Sequence, residues 1–170
     1  LLVEPRIPFR HELSVLVVRS TSGEVVAYPP VETVQRDGQC TEAFLPASLP
    51  ELQHVQARRI AVTIAEAVGL VGTMAVELFD TEDALLLNEL AVRTHNSGHL
   101  TIDAATTSQF EQQVRAVCGL PLGATDLLRP AAMANLLGDI WQYGEPDWPA
   151  ALAIPGVKLH LYGKKEARAG

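Results

Sequence analysis

Residues 76–99, VELFDTEDALLLNELAVRTHNSGH, constrain this chain more than any other stretch. Two apolar runs, VELF and LLLNEL, flank Asp80-Thr81-Glu82-Asp83, which is turn chemistry. The pattern predicts two antiparallel strands joined by an acidic turn, followed by a polar loop. Pairing symmetric about Asp83 puts Glu77 opposite Glu89. Directly opposed positions on one face bring their Cβ atoms to roughly 4.5–5.5 Å. Two carboxylates so placed repel by about 3 kcal/mol at an effective dielectric of about 20. A divalent cation turns that repulsion into a site. With Asn88 beside Glu89 the donors are all oxygen, which suits Mg²⁺ or Mn²⁺ rather than zinc. Magnesium held by few carboxylates completes its shell with water and nucleotide phosphates. The plainer reading, two solvated carboxylates at strand ends, fits the same residues.

The loop that follows carries Arg93, His95, Asn96, Ser97 and His99 around Gly98. A loop leaving a strand end is where ligand-contacting groups tend to be carried. Asn-Ser-Gly between the histidines is turn sequence, so this is not a helical zinc motif. No G-x-S-x-G is present, which excludes a nucleophile elbow of that type.

The rest of the chain reads as α+β. Residues 1–3 suggest a short strand ending at Glu4, and Pro5-Arg6-Ile7-Pro8 is too rich in proline for a helix. Residues 13–19 (LSVLVVR) form a strand buried on both faces. Residues 25–28, 31–36 and 39–45 continue antiparallel pairing, with a hairpin turn at Asp37-Gly38. Ser48-Leu49-Pro50-Glu51 has the form of a capping box. Its helix presents Leu52, Val55, Ile60, Ile64 and Val68 at helical spacing and stops at Gly69. A second capping box, Ser108 to Glu111, opens a helix burying Phe110, Val114 and Val117 and ending at Gly119. Beyond Gly123, residues 132–137 and 157–162 read as strands, with a loop over 144–149, rich in Pro and acid, around Trp141 and Trp148. The stretch from Gly163 to Arg168 then presents three cations, Lys164, Lys165 and Arg168. The expected architecture is an antiparallel sheet with helices covering one face over residues 1–123, then a small, incomplete β-rich piece over 124–170.

Composition narrows the class. At 48% hydrophobic and 19% charged, the chain can bury a core. No apolar run approaches the roughly 18 residues of a membrane span. The first ten residues lack the pattern of a signal peptide. A net charge of −7 argues against general affinity for nucleic acid. Cys40 and Cys118, without metal spacing, fit reduced thiols in a cytoplasmic protein.

Residues 88–123, NELAVRTHNSGHLTIDAATTSQFEQQVRAVCGLPLG, resemble the signature segment of the 5-(carboxyamino)imidazole ribonucleotide synthases, ATP-grasp carboxylases of purine biosynthesis. The likeness extends to VETVQRDG upstream and to LHLYGKKEARAG at the end. It implies the larger half of an ATP-grasp module, with ATP and Mg²⁺ (or Mn²⁺) as cofactors. Aminoimidazole ribonucleotide and bicarbonate are the implied substrates, in a cytoplasmic homodimer. Relatives carry an N-terminal Rossmann-like domain and a Gly-rich phosphate loop not found here, so the chain reads as the C-terminal part of a longer enzyme, short of the family's usual end.

By the same resemblance Glu4, Pro5, Arg6 and Ile7 lie along the adenine, and Glu4 and Glu12 accept the ribose hydroxyls. Gln35 falls near the phosphates. Glu77, Glu89 and Asn88 hold the metal. Arg93, His95, Asn96 and His99 face bicarbonate and the acceptor, as the catalytic set. Ser97, Lys165 and Arg168 contact the ribonucleotide. Asp103 fits the pattern and is read as capping the next short turn, with a contact to substrate as the alternative. Val92, Thr94 and Ala169 stand where many relatives have proline, and Pro5 where a second Glu is common. Two other readings stand beside this one. Another ATP-grasp ligase with a different acceptor, such as a formate-using glycinamide ribonucleotide enzyme or a biotin carboxylase, shares the hairpin carboxylates. A non-catalytic fragment or assembly piece is the third.

Overall fold

The computed structural model describes residues 3–163. Its strands are β1 (His11–Arg19), β2 (Val25–Ala27), β3 (Val31–Arg36), β4 (Gln39–Leu45), β5 (Gly72–Asp80), β6 (Leu85–Ala91) and β7 (Ala131–Ala134). Its helices are α1 (Glu51–Ala67), α2 (Thr101–Ala104), α3 (Gln109–Val117) and α4 (Trp148–Leu152). These strands make one antiparallel sheet in the order β6-β5-β1-β3-β4-β7, with β2 beside the second half of β1.

β1 lies inside the sheet because it is apolar on both faces. Leu13, Val15 and Val17 pack with Met74, Val76 and Leu78 beneath α1. Leu16, Val18 and Ala75 pack on the opposite face with Ala116 of α3. A strand without alternation needs a cover on each side. Helices therefore lie on both faces, not on one as expected.

α1 packs by its small residues. Ala57, Ala61 and Ala65 are fully buried, while Leu52, Val55 and Val68 are exposed, Leu52 by 78%. Alanines at i, i+4 and i+8 form one stripe and let the helix axis approach the sheet. The expected face is corrected at Leu52, Val55 and Val68, while Ile60 and Ile64 pack against the core as expected. Ser48 caps nothing: Pro50 holds the N-cap position, and the Ser48 backbone N–H donates to Glu32 at 3.2 Å. At the other end Gly69 takes φ +62°, and Leu70 N–H reaches the Ala65 carbonyl at 3.0 Å, closing the helix as predicted.

The second capping box forms, with the Ser108 hydroxyl accepting from Glu111 N–H. The buried face of α3 is largely polar, however: Gln109 and Gln112 are fully enclosed beside Ala116, Phe110 is half-buried, and Val114 and Val117 are exposed. Each glutamine amide is paired with backbone. Gln112 donates to the Gly123 carbonyl at 2.6 Å and accepts from Gly123 N–H at 2.9 Å. Burial of an amide costs little when all its groups are satisfied.

Three expectations at the chain ends change. Leu1 and Leu2 fall outside the described residues, and Val3 is exposed and not in a strand. The strand expected over 132–137 is β7, shorter and paired with β4. Residues 157–162 form no strand and are fixed by side chains. The 144–149 loop leads into α4, capped by Asp147, whose carboxylate accepts from Ala150 N–H at 3.0 Å. Glu145 takes the indole N–H of Trp141 at 3.1 Å and of Trp148 at 2.5 Å.

Candidate active site

The face of the sheet covered by α3 grades from apolar to acidic along β1: Val18, Leu16, Ser14, Glu12. Glu77 of β5 is the register partner of Ser14 and shares that face. On its other side β5 pairs Leu78 with Leu87 but Val76 with Leu90. β6 therefore carries one extra residue, and Glu77 confronts Asn88 and Glu89 together across a β-bulge. The symmetric pairing expected from sequence is right for the half beyond the bulge and shifted by one toward the turn. Asn88 donates to Glu77 at 3.4 Å. Burial pushes the Glu77 carboxyl above its ordinary range, and the charges of Glu89 and Glu12 add to the rise. Glu12 is itself raised by burial.

The loop after β6 closes over this acidic end. His95 Nε2 lies 3.3 Å from Glu77 Oε1, and its Nδ1 lies 2.9 Å from Ser97 Oγ. Ser97 donates its one proton to Ser14 Oγ at 2.8 Å, so it accepts from His95 Nδ1–H. A line of four side chains thus runs Ser14–Ser97–His95–Glu77. Burial lowers the His95 pKa, with Arg93 contributing next, so burial works against charge at both ends of the Glu77–His95 contact. The loop's turn, Asn96–Gly98, is packed tightly: a Cβ on Gly98 would stand 2.5 Å from Leu16 Cδ1 and 2.6 Å from Gln109 Cδ. Thr101 Oγ1 donates to the Gly98 carbonyl at 2.5 Å and accepts from Gln109 N–H at 3.0 Å.

The remaining residues fall as follows. Glu4, Pro5 and Arg6 are exposed and Ile7 half-buried in the irregular segment before β1. That segment is anchored just downstream, where Phe9 stacks on Phe79 at 4.7 Å and Arg10 and His11 bind the buried Asp80. Gln35 is exposed on β3. Arg93 is exposed and bonds the Thr94 carbonyl at 3.1 Å. Asn96 is half-buried. Ser97 is fully buried, with its hydroxyl bonded to His95 Nδ1 and Ser14 Oγ. Asp103 does not cap a helix; its carboxylate meets His160 at 2.7 Å. Lys165 and Arg168 lie outside the described residues.

Sequence reasoning missed Ser14, Gln109 and Asp80. A lone serine inside LSVLVVR was a usable signal, because a buried hydroxyl requires a partner. Asp80 looked like a turn residue; it is 1% exposed and binds Arg10, His11 and Gln53.

Among the described residues no group of three His, Cys, Asp or Glu side chains stands ready as a metal site. Two mutually repelling carboxylates with an amide between them still fit a hard divalent cation that brings water or phosphate ligands of its own.

Comparison with known proteins places this geometry. Residues 1–110 match the ATP-grasp domain family, and residues 131–170 match the phosphoribosylaminoimidazole carboxylase C-terminal domain. The chain belongs to the ATP-grasp family. Within it, the chain is 48% identical over 99% of its length to the N5-carboxyaminoimidazole ribonucleotide synthase of Bacillus subtilis, spanning 44% of that protein. It is 42% identical to a phosphoribosylaminoimidazole carboxylase of Schizosaccharomyces pombe, spanning 32% of it. Its fold matches an Aspergillus clavatus N5-carboxyaminoimidazole synthase, crystallised with ADP and 5-aminoimidazole ribonucleotide, with a TM-score of 0.84 and 36% identity, covering 95% of this chain and 44% of that one.

Proposed function

We propose that the protein containing this chain carboxylates 5-aminoimidazole ribonucleotide with ATP and bicarbonate. The observation that carries the reading is the Glu77–Asn88–Glu89 bulge facing the His95–Ser97 loop on one sheet face. In the chemistry proposed, a bicarbonate oxygen attacks the γ-phosphorus of ATP, the bond to ADP breaks, and carboxyphosphate forms. The exocyclic amine then attacks the carboxyl carbon. The N–C bond forms, the C–O bond to phosphate breaks, and inorganic phosphate departs with the amine proton.

Each local group has a part in this reading. Glu77, Glu89 and Asn88 hold Mg²⁺, which when bound offsets phosphate charge. Arg93, exposed beside the bulge, clamps the bicarbonate or carboxyphosphate anion. His95, fixed at both ring nitrogens, and Asn96 and His99 in the same loop orient the acceptor and keep the carboxyl donor from water. Glu12 and the segment from Glu4 to Ile7 receive the nucleoside of ATP, with Gln35 toward the phosphates. Lys165 and Arg168 receive the ribonucleotide phosphate. Support comes from oxygen-only donors, like-charge crowding at Glu77 and close likeness to proteins named for this reaction.

The test is ADP release by the intact longer protein with Mg-ATP and bicarbonate, with and without 5-aminoimidazole ribonucleotide. Release stimulated by the nucleotide is expected. Mg-ATP binding without stimulation would leave an ATP-grasp ligase with a different acceptor.

A further inference from the structure

The segment 155–163 crosses the rim of the candidate site without regular structure and with little burial. Leu161 is 51% exposed and Tyr162 64%. Packing is therefore not what seats it. Two side-chain contacts do. His160 Nε2 meets Asp103 Oδ2 at 2.7 Å, and the Tyr162 hydroxyl meets His99 Nδ1 at 2.6 Å. Asp103 belongs to α2, and His99 lies two residues before that helix, so both contacts land on about one turn of chain. His99 is bracketed, with Phe110 of α3 edge-on at 5.1 Å and the Tyr162 ring at 5.4 Å.

From this arrangement we infer that residues 155–163 form a latch in which Tyr162 is a positioning residue: its hydroxyl donates to His99 Nδ1 and fixes that ring as the Nε2–H tautomer, while His160 on Asp103 seats the strap. A histidine whose Nδ1 accepts a hydrogen bond keeps its proton on Nε2, which makes Nε2 a donor and only a donor. The latch thus sets what His99 offers to a ligand in the loop, an N–H rather than a lone pair. Burial lowers the His99 pKa, with His160 adding to the effect, and burial raises that of Tyr162. Both directions keep a neutral imidazole facing a protonated phenol. The catalytic consequence rests on the carboxylase reading; the tautomer assignment does not.

The experiment uses the intact longer protein labelled with ¹⁵N-histidine, as wild type, Tyr162→Phe, His160→Ala and His160→Gln. The wild-type His99 ring is expected to show an unprotonated Nδ1 and a protonated Nε2. Tyr162→Phe keeps the ring against His99 and removes the hydroxyl, so the His99 resonances should move toward a tautomer mixture. In turnover, Tyr162→Phe should lower nucleotide-stimulated kcat several-fold with the KM for ATP unchanged. His160→Ala should raise the KM for the ribonucleotide, and His160→Gln, which still donates to Asp103, should restore it. A His99 spectrum unaffected by Tyr162→Phe overturns the latch. A spectrum that moves as expected, in a protein whose ADP release the nucleotide never stimulates, sustains the latch and overturns the carboxylase reading instead.

Discussion

The side-chain amide of Gln109 occupies both backbone groups of His95: Oε1 accepts from His95 N–H at 2.9 Å, and Nε2 donates to its carbonyl at 2.6 Å. Gln109 serves His95 as a neighbouring strand would, from the first turn of α3. The imidazole that meets Glu77 is thereby fixed at its backbone as well as at Ser97.

Gln109→Leu keeps the volume and removes both bonds. Each backbone group left without a partner in this enclosed setting costs about 1–3 kcal/mol. Denaturant midpoints of the intact protein should fall accordingly, and turnover should fall further than stability alone explains, since His95 loses its register against Glu77. An unchanged midpoint would show that the loop holds itself.

Gly98→Ala tests the same loop by crowding. The new methyl would press on Leu16 and on the Gln109 amide, both enclosed. Overpacking of this kind costs about 1–3 kcal/mol. Gly38, in the β3–β4 turn, serves as a comparison, because a Cβ added there would meet nothing within 4 Å; Gly38→Ala strains only its own φ of +77°. Turnover should drop for the first variant and stay for the second, measured by nucleotide-stimulated ADP release.

The contrast between these two sites bears on what the sequence could disclose. Strands over 31–36 and 39–45 were legible because alternation and Asp37-Gly38 are local signals, and the structure places β3 and β4 on those residues. The carboxylates of Glu77 and Glu89 were legible as neighbours. The bulge between them was not, since one inserted residue leaves the apolar pattern of LLLNEL intact. Helical faces were misread where large apolar residues were taken as the core. Close approach to the sheet selects Ala57, Ala61 and Ala65 in α1, and backbone pairing selects Gln109 and Gln112 in α3. Contacts such as Tyr162 to His99, 63 residues apart, leave no local trace at all.

Asp80 ties the segment proposed to face the adenine to the hairpin. Its oxygens take Arg10 at 3.0 Å, His11 at 2.9 Å and Gln53 at 3.2 Å. Asp80→Asn removes the charge and turns a donor toward His11. Hydrogen bonds to a charged group contribute about 1.5–3 kcal/mol, and the half-exposed Arg10 puts the expected loss at the lower end. The KM for ATP should rise, because residues 3–9 are anchored through Arg10 and His11. A KM that stays level while stability falls would separate the anchor from nucleotide binding.

Acid should loosen the loop through His99. Burial holds its ring below the ordinary imidazole value of 6.5, with His160 adding to the effect. Just below that value the unfolded chain binds more protons than the folded one, so stability rises with pH across the window. The contribution is present above about 6.5 and is lost as pH falls through the folded value. Tyr162 faces the ring from the strap and Phe110, without charge, from α3. Glu12 and Glu77, both raised, run the opposite way above the ordinary carboxylate value. His95, lowered by burial and in part by His99, shifts in the same direction, so the difference in denaturation midpoint between wild type and His99→Gln reports His99 together with its coupling to His95, and it should shrink on acidification. A difference constant with pH would refute the assignment.

Glu89→Gln separates folding from chemistry at the bulge. The Glu89 charge adds to the upward shift that burial imposes on Glu77, against the lowering by Asn88 and Arg93, so the folded state carries repulsion between the two carboxylates. Removing it should leave stability unchanged or raise it by less than about 1 kcal/mol, since Glu89 is exposed and water screens the pair. The same change deletes half of the carboxylate pair proposed to hold Mg²⁺, so Mg-ATP turnover should be abolished. Glu77→Gln should behave alike in turnover but differently in folding, because it also disturbs the contact to His95 Nε2 at 3.3 Å. Urea denaturation and Mg²⁺-dependent ADP release on both variants give the comparison. Loss of turnover with stability kept in Glu89→Gln is the signature of a site whose carboxylates are crowded for a cation; unchanged turnover would remove the metal role from this pair.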